Sequence, residues 1–331
     1  MIDNFLIVAQ QVAILFVLMG FGAVMRRAGF FKENAIDGIV NVLILVVTPC
    51  LIVDVFQRPF DPAMLKGLGL AFLIAVLAHV VLILLAKAVV HHRDENVRCP
   101  LRLAAVFSNA GFMGIPLEQA VLGDIGVFYG VVYIVVFNLF MWSWGLCTMK
   151  NEECRVKNDD DAQKALQSSI INHQLSFFNL HSVVNPGTVG IALGVPLFFF
   201  SAKLPAMIGV PVHHMANLNT PLAMIVIGYA LAGAEFGKVL RTGAVYVATL
   251  VRLVICPLLV IAALYPFRHA LDRNMMLAMT VAASAPVAAM VSMFAAKYGR
   301  DVDVSVAVVS GTTLLSILSM PVVIALAMAV L

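Results

Sequence analysis

Ten stretches of about 20 apolar residues, each long enough to cross the hydrocarbon core of a bilayer, follow one another along this chain. They lie at roughly 5–25, 36–56, 66–88, 102–122, 126–148, 182–202, 214–233, 243–264, 274–296 and 303–330. Inside hydrocarbon every peptide group needs an internal partner, so continuous apolar runs of this length fold as helices. Only 12% of the residues are charged and 62% are apolar, far from the roughly 25% charge of soluble domains. The predicted fold is therefore an all-α polytopic membrane protein with ten transmembrane helices.

Two of the runs are interrupted. The fourth carries Ser108, Asn109, Gly111, Gly114 and Pro116 in mid-run, and the ninth carries Ala283-Ser284-Ala285-Pro286 about half a chain later. Irregular backbone at membrane depth is tolerated only where it is buried in protein or lines a cavity. Paired breaks in corresponding halves point to the binding site of a transporter. The longest polar stretch separates residues 1–148, a first five-helix repeat, from 182–331, a second, through a linker at 149–181. Five spans is an odd number, so the halves enter the membrane from opposite sides, as inverted repeats do. Thr48-Pro49 and Thr220-Pro221 echo each other at an offset of 172, and Gly123-Asp124 and Gly299-Arg300 at 176.

Charge sets the orientation. Fifteen of the 21 lysines and arginines fall in the odd-numbered loops, five in the even-numbered ones, and Arg252 is left inside a span. The positive-inside rule makes the odd loops and the linker cytoplasmic and puts both termini outside, which in a bacterium means the inner membrane with a periplasmic or extracellular start and end. Met1-Ile-Asp-Asn-Phe offers no basic region of the kind that precedes a cleaved signal. Five cysteines show no metal or redox spacing and read as small apolar residues. No Walker loop, dinucleotide fingerprint or hydrolase triad is present, so the chain is not expected to be an enzyme, to need a cofactor or to hold a metal. Nothing in it points to nucleic acid.

Ser108-Asn-Ala-Gly-Phe-Met-Gly-Ile-Pro-Leu117, Val184-Asn-Pro-Gly-Thr-Val-Gly-Ile-Ala-Leu-Gly194, Asn219-Thr-Pro-Leu-Ala223, and Ala285-Pro286 followed by Phe294-Ala-Ala-Lys-Tyr-Gly299 together resemble the auxin efflux carrier family. That family includes the plant PIN carriers and bacterial malonate and malate permeases. The resemblance runs through nearly the whole chain. It implies two inverted five-helix repeats with the fourth and ninth helices crossing at mid-membrane. It also implies a scaffold and a mobile transport domain, drawn from both repeats, in an elevator cycle. Plant carriers have a proline immediately before the asparagine where this chain has Ser108. The break here rests on Gly111, Gly114 and Pro116 instead.

Half-helix N-termini at a crossing favour an anion, and a carboxylate fits that field. Asn109 can cap a freed helix end and donate to a carboxylate oxygen, and the resemblance makes it the substrate-contacting asparagine. Ser108, Gly111, Ala285 and Pro286 shape the pocket, while Thr48 and Thr220, before Pro49 and Pro221, re-satisfy freed carbonyls. Ionisable groups inside spans are functional candidates by default. Arg252 is read as countercharge to the anion, as the partner of a carboxylate, or as a snorkelling side chain. His79, Asp54 and Glu118 are candidates for proton coupling, with Asp54 and Glu118 placed near solvated span ends. H+ is expected ahead of Na+ as coupling ion. Gly190-x-x-x-Gly194 permits close helix approach, within the chain or in a homodimer, and His213-His214 is placed in a short outer loop without a carboxylate nearby. The expected function is secondary transport of small organic anions such as malonate or malate. The alternatives are a sodium-coupled symporter of the bile-acid type on a related crossover fold and a membrane sensor or interaction protein.

Overall fold

A computed structural model describes residues 2–30, 33–150, 186–233 and 242–331. The polar linker from residue 151 onward, Val184 and Asn185 lie outside the described residues. Among those described the structure is all helix apart from one isolated antiparallel bridge. Seven helical segments are long and apolar enough to cross a membrane. The other three expected spans are the two interrupted runs and Pro186–Phe199, a helix of 14 residues.

We number the helices α1 (Ile2–Arg27), α2 (Glu33–Val42), α3 (Thr48–Phe56), α4 (Pro62–Val89), α5 (Glu95–Val106), α6 (Ile115–Leu122), α7 (Asp124–Phe140), α8 (Leu146–Lys150), α9 (Pro186–Phe199), α10 (Ala206–Asn217), α11 (Asn219–Ala232), α12 (Gly243–Leu250), α13 (Cys256–Leu264), α14 (Arg273–Ser284), α15 (Met290–Lys297) and α16 (Val302–Val330). The fourth span begins earlier than hydropathy suggests. Asp94 accepts from Asn96 N at 2.8 Å and starts α5 at Glu95. Arg98 is tied to Glu95 at 2.7 Å, and Arg102 reaches back to the Val90 and Lys87 carbonyls, so these charges sit within the helix rather than in the loop before it.

Wide π-helical turns join several of these segments, and three share one design. Leu43–Val47 precedes Thr48-Pro49, Ala110–Gly114 precedes Ile115-Pro116, and Val251–Ile255 precedes Cys256-Pro257. Proline lacks an N–H and its ring crowds the carbonyl one turn back, so a widened turn relieves the crowding while the chain stays helical. Thr48 Oγ1 donates to the Leu43 carbonyl at 2.9 Å, which also accepts the Thr48 backbone N–H, so this hydroxyl does not serve the carbonyl that Pro49 frees.

Helix α1 packs along α11 and α16, and α9 lies against α3, which also carries α10. A Cβ at Gly190 would stand 3.0 Å from Pro49 Cα and 3.1 Å from Ile52 Cβ, and one at Gly194 3.0 Å from Phe56 Cβ, too tight for an ordinary contact, so the small residues at this spacing allow the close approach. Helix α7 touches α4, α6 and α14, and α5 packs on α4, α12 and α16. Half-helices α6 and α15 both end in a left-handed glycine, Gly123 at φ 69° and Gly299 at φ 64°, a conformation that costs glycine nothing. Each then turns directly into the next long helix.

Candidate functional site

The two interruptions touch. Asn109 N donates to the Pro286 carbonyl at 2.6 Å and Ala288 N to the Phe107 carbonyl at 3.0 Å, which makes Ser108 and Val287 an antiparallel pair. Four half-helices therefore meet at one point: α5 and α14 end there, and Ala110–Gly114, leading into α6, and α15 begin there. The exchange satisfies backbone groups that proline and glycine free from the ladders. Thr312 of α16 completes it by accepting from Val287 N at 3.1 Å, while its hydroxyl donates to the Val308 carbonyl at 2.7 Å.

Asn109 is 7% exposed and Ser108 1%. The Asn109 side chain accepts from Phe112 N at a long 3.4 Å, and its backbone carbonyl accepts from Met113 N and Gly114 N at 3.0 and 3.1 Å. The first turn of a helix has N–H groups without intrahelical partners, so this end presents Asn109 and free backbone donors together. A Cβ at Gly111 would meet nothing within 4 Å, whereas one at Gly114 would touch Ala110 and Ala282 at 3.5 and 3.6 Å. Gly111 thus has open space beside it, and Gly114 packs against the α14 backbone at Ala282. Ala285 and Pro286, both buried, lie across the bridge from Ser108 and Asn109.

Other expected residues lie elsewhere. Asp54 and Thr220 share a small polar cavity of about 70 Å³ with Gln119, Asp124, His213 and Asn219. His213 belongs to helix α10 rather than to a loop, and its Nδ1 lies 2.9 Å from Asp54 Oδ2, so a carboxylate is at hand after all. Asn219 is 4% exposed with its Nδ2 unpartnered. Glu118, expected at a solvated span end, is fully buried with no partner for Oε2. Its carboxylate occupies the notch left by Gly130 on α7, where any Cβ would overlap it.

Arg252 does not snorkel. It is wholly buried in the widened turn Val251–Ile255, its two Nη groups donate to the Val106 and Ala283 carbonyls and to Cys256 Sγ, and its Nε has no partner. His79 is near it and equally buried. Its Nδ1 bonds to the Ala75 carbonyl at 2.8 Å, and its ring packs among Phe107, Tyr133 and Phe140. Thr312 and Tyr133 went unread in the sequence, although Gly311-Thr312-Thr313 is a polar interruption of an otherwise apolar run and was signal enough. Thr312→Val keeps the shape but leaves Val287 N without an acceptor, so it is expected to cost about 1–3 kcal/mol, read as a lower thermal midpoint of the detergent-purified protein. An unchanged midpoint would show that this bond does not hold the crossing.

A polytopic helical protein with two broken helices paired at their breaks has the build of a membrane carrier. The sequence profile of the family described as Membrane transport protein matches residues 7–324, and the chain belongs to that family, the auxin efflux carrier family. An uncharacterized transporter of Methanothermobacter thermautotrophicus is similar to it, at 26% identity over 318 residues that cover 94% of this chain and 96% of that protein.

Proposed function

We propose that the chain is a secondary carrier of small organic anions, with dicarboxylates of the malonate and malate class as substrates, working by an elevator-like alternation of the crossing between the two sides of the membrane. The single observation that carries this reading is the paired break. It brings two half-helix N-termini to one place beside Asn109, and such ends attract negative charge. Ten spans in two inverted repeats fit the packing. Helix α1 lies on α11 as α9 lies on α3, and α7 lies on α14 as α16 lies on α5, the exchange of partners that a two-fold relation between halves requires. The matched glycine turns at Gly123 and Gly299 support it too.

The test is uptake of labelled malonate, malate and indole acetate by proteoliposomes under imposed proton or sodium gradients. Accumulation of a dicarboxylate is expected, and movement of none of the three under any gradient would sink the proposal. In this reading the coupling ion is a proton, and Glu118 is better placed to carry it than His79 or Asp54. It is buried, unpartnered and attached to the half-helix that starts at the site. Glu118→Gln is expected to preserve malonate exchange and to lose accumulation driven by a proton gradient. Accumulation at the wild-type level would remove Glu118 from the coupling.

A further inference from the structure

The crossing has a second pole, opposite in sign to the first. Val106 is the last residue of α5 and Ala283 the penultimate residue of α14. Carbonyls in a last helical turn lack intrahelical donors and carry the negative end of the helix dipole. In crossover carriers these ends hold an inorganic cation. Here Arg252 Nη1 donates to the Val106 carbonyl at 2.7 Å, and Nη2 donates to the Ala283 carbonyl and to Cys256 Sγ, the latter at 2.6 Å. One planar fork thus closes both half-helix ends at once, a geometry that suits guanidinium better than ammonium.

The surroundings are built to keep that charge in place. Among the described residues no carboxylate pairs with Arg252, so its compensation comes from the two helix ends. The Tyr133 hydroxyl sits beside Arg252 and Ser108 without a well-aligned bond to either, and His79 Nε2 is unpartnered as well. His79 bonds to the Ala75 carbonyl through Nδ1, so that nitrogen carries the hydrogen of the neutral ring and leaves Nε2 an acceptor. Ser108 itself lies at the bridge to Val287. The Tyr133 hydroxyl thus lies between the arginine pole and Ser108, the residue next to Asn109, without a hydrogen bond joining them.

We propose that Arg252 is the tethered cation of the crossing: it supplies at the two helix C-termini the positive charge that a bound monovalent cation would otherwise bring, so transport proceeds without Na+ or K+ at this point. Arg252 is a positioning residue in this scheme, holding both half-helices so that their partners' N-termini face the anion. The inference rests on the crossing being the transport site. It goes beyond the substrate reading by fixing which ions the carrier does not need.

The experiment has a transport arm and a substrate-free arm. Wild-type protein in proteoliposomes is expected to exchange labelled malonate at one rate whether Na+, K+ or N-methylglucamine is the cation present. Arg252→Ala is expected to lose exchange by about tenfold or more, as befits removed charge-assisted bonds, and to recover part of it in millimolar guanidinium. Arg252→Lys, which keeps a cation, is expected to outperform Arg252→Gln, which does not. In the second arm millimolar guanidinium is expected to raise the thermal midpoint of detergent-purified Arg252→Ala and to leave wild type unmoved. A wild-type rate that requires Na+, an Arg252→Gln rate equal to wild type, or an Arg252→Ala midpoint indifferent to guanidinium would each overturn the proposal. If Arg252→Ala cannot be purified folded, the wild-type cation series and the Lys and Gln pair decide. Wild-type protein that moves no carboxylate while the unfolding arm behaves as expected would instead defeat the substrate assignment and leave the tethered cation standing.

Discussion

Asn109→Asp is expected to abolish malonate uptake in a protein that still folds, inserts and unfolds at close to the wild-type temperature. The side chain accepts from Phe112 N at 3.4 Å, a long bond that an aspartate oxygen can make equally well. The crossing is held by the backbone of Asn109, which donates to the Pro286 carbonyl at 2.6 Å and does not change. What changes is the side-chain face that meets the substrate in the proposed reading. Two amide N–H donors are replaced by a carboxylate that repels the incoming anion. A hydrogen bond to a charged group contributes about 1.5–3 kcal/mol, so its loss alone lowers affinity by roughly tenfold to a hundredfold, and the repulsion adds to that. Asn109→Ala loses the donor without the repulsion and also loses the cap, so it is expected to retain more transport than Asn109→Asp and to be less stable. Uptake by Asn109→Asp at half the wild-type rate or better would move the substrate away from this residue.

The breaks were legible because each is a local event. Pro116 and Pro286 lie inside apolar runs, and no other placement of such runs satisfies their peptide groups. The close approach at Gly190 and Gly194 was legible for the same reason, since a four-residue spacing puts two small residues on one helix face. The misread residues depend on distant partners. Arg252 finds its acceptors 146 and 31 residues away, and no window around Val251 or Leu253 reveals them. Glu118 lies four residues before the end of α6, where solvent is a fair expectation, but its burial is decided by the notch at Gly130 on the next helix. The start of α5 was missed because Glu95, Arg98 and Arg102 lower the hydropathy of a turn that their own bonds keep helical.

Gly228→Ala is expected to be among the most damaging single-methyl additions outside the crossing. Helices α1 and α11 touch backbone to backbone there: a Cβ at Gly228 would overlap the Met19 carbonyl and stand 2.8 Å from Met19 Cα, and one at Gly22 would overlap the Ile225 carbonyl and stand 2.9 Å from Tyr229 N. The obstacle is main chain, which cannot swing aside as a side-chain tip does, so the helices must separate. Separation would strip the neighbouring contact in which Arg26 donates to the Tyr229 carbonyl at 3.1 Å and lies over its ring at 4.7 Å. Overpacking of this kind costs about 1–3 kcal/mol or more. Gly20 supplies a control on the same helix, since a Cβ there meets nothing within 4 Å. Gly20→Ala is expected to be neutral or to stabilise by up to about 1 kcal/mol, the ordinary gain from replacing glycine in a helix. Thermal or denaturant unfolding of the two variants in one detergent separates these outcomes, and equal midpoints would mean that α1 and α11 do not meet so closely. The contact also bears on mechanism. In the proposed elevator cycle one body stays still, and this pair of helices, locked at the backbone and packed against the crossing at Met113 and Ala285, is suited to be part of it. Gly228→Ala is therefore expected to lower the transport rate through loss of folded protein, with little change in the apparent affinity for malonate of the protein that remains.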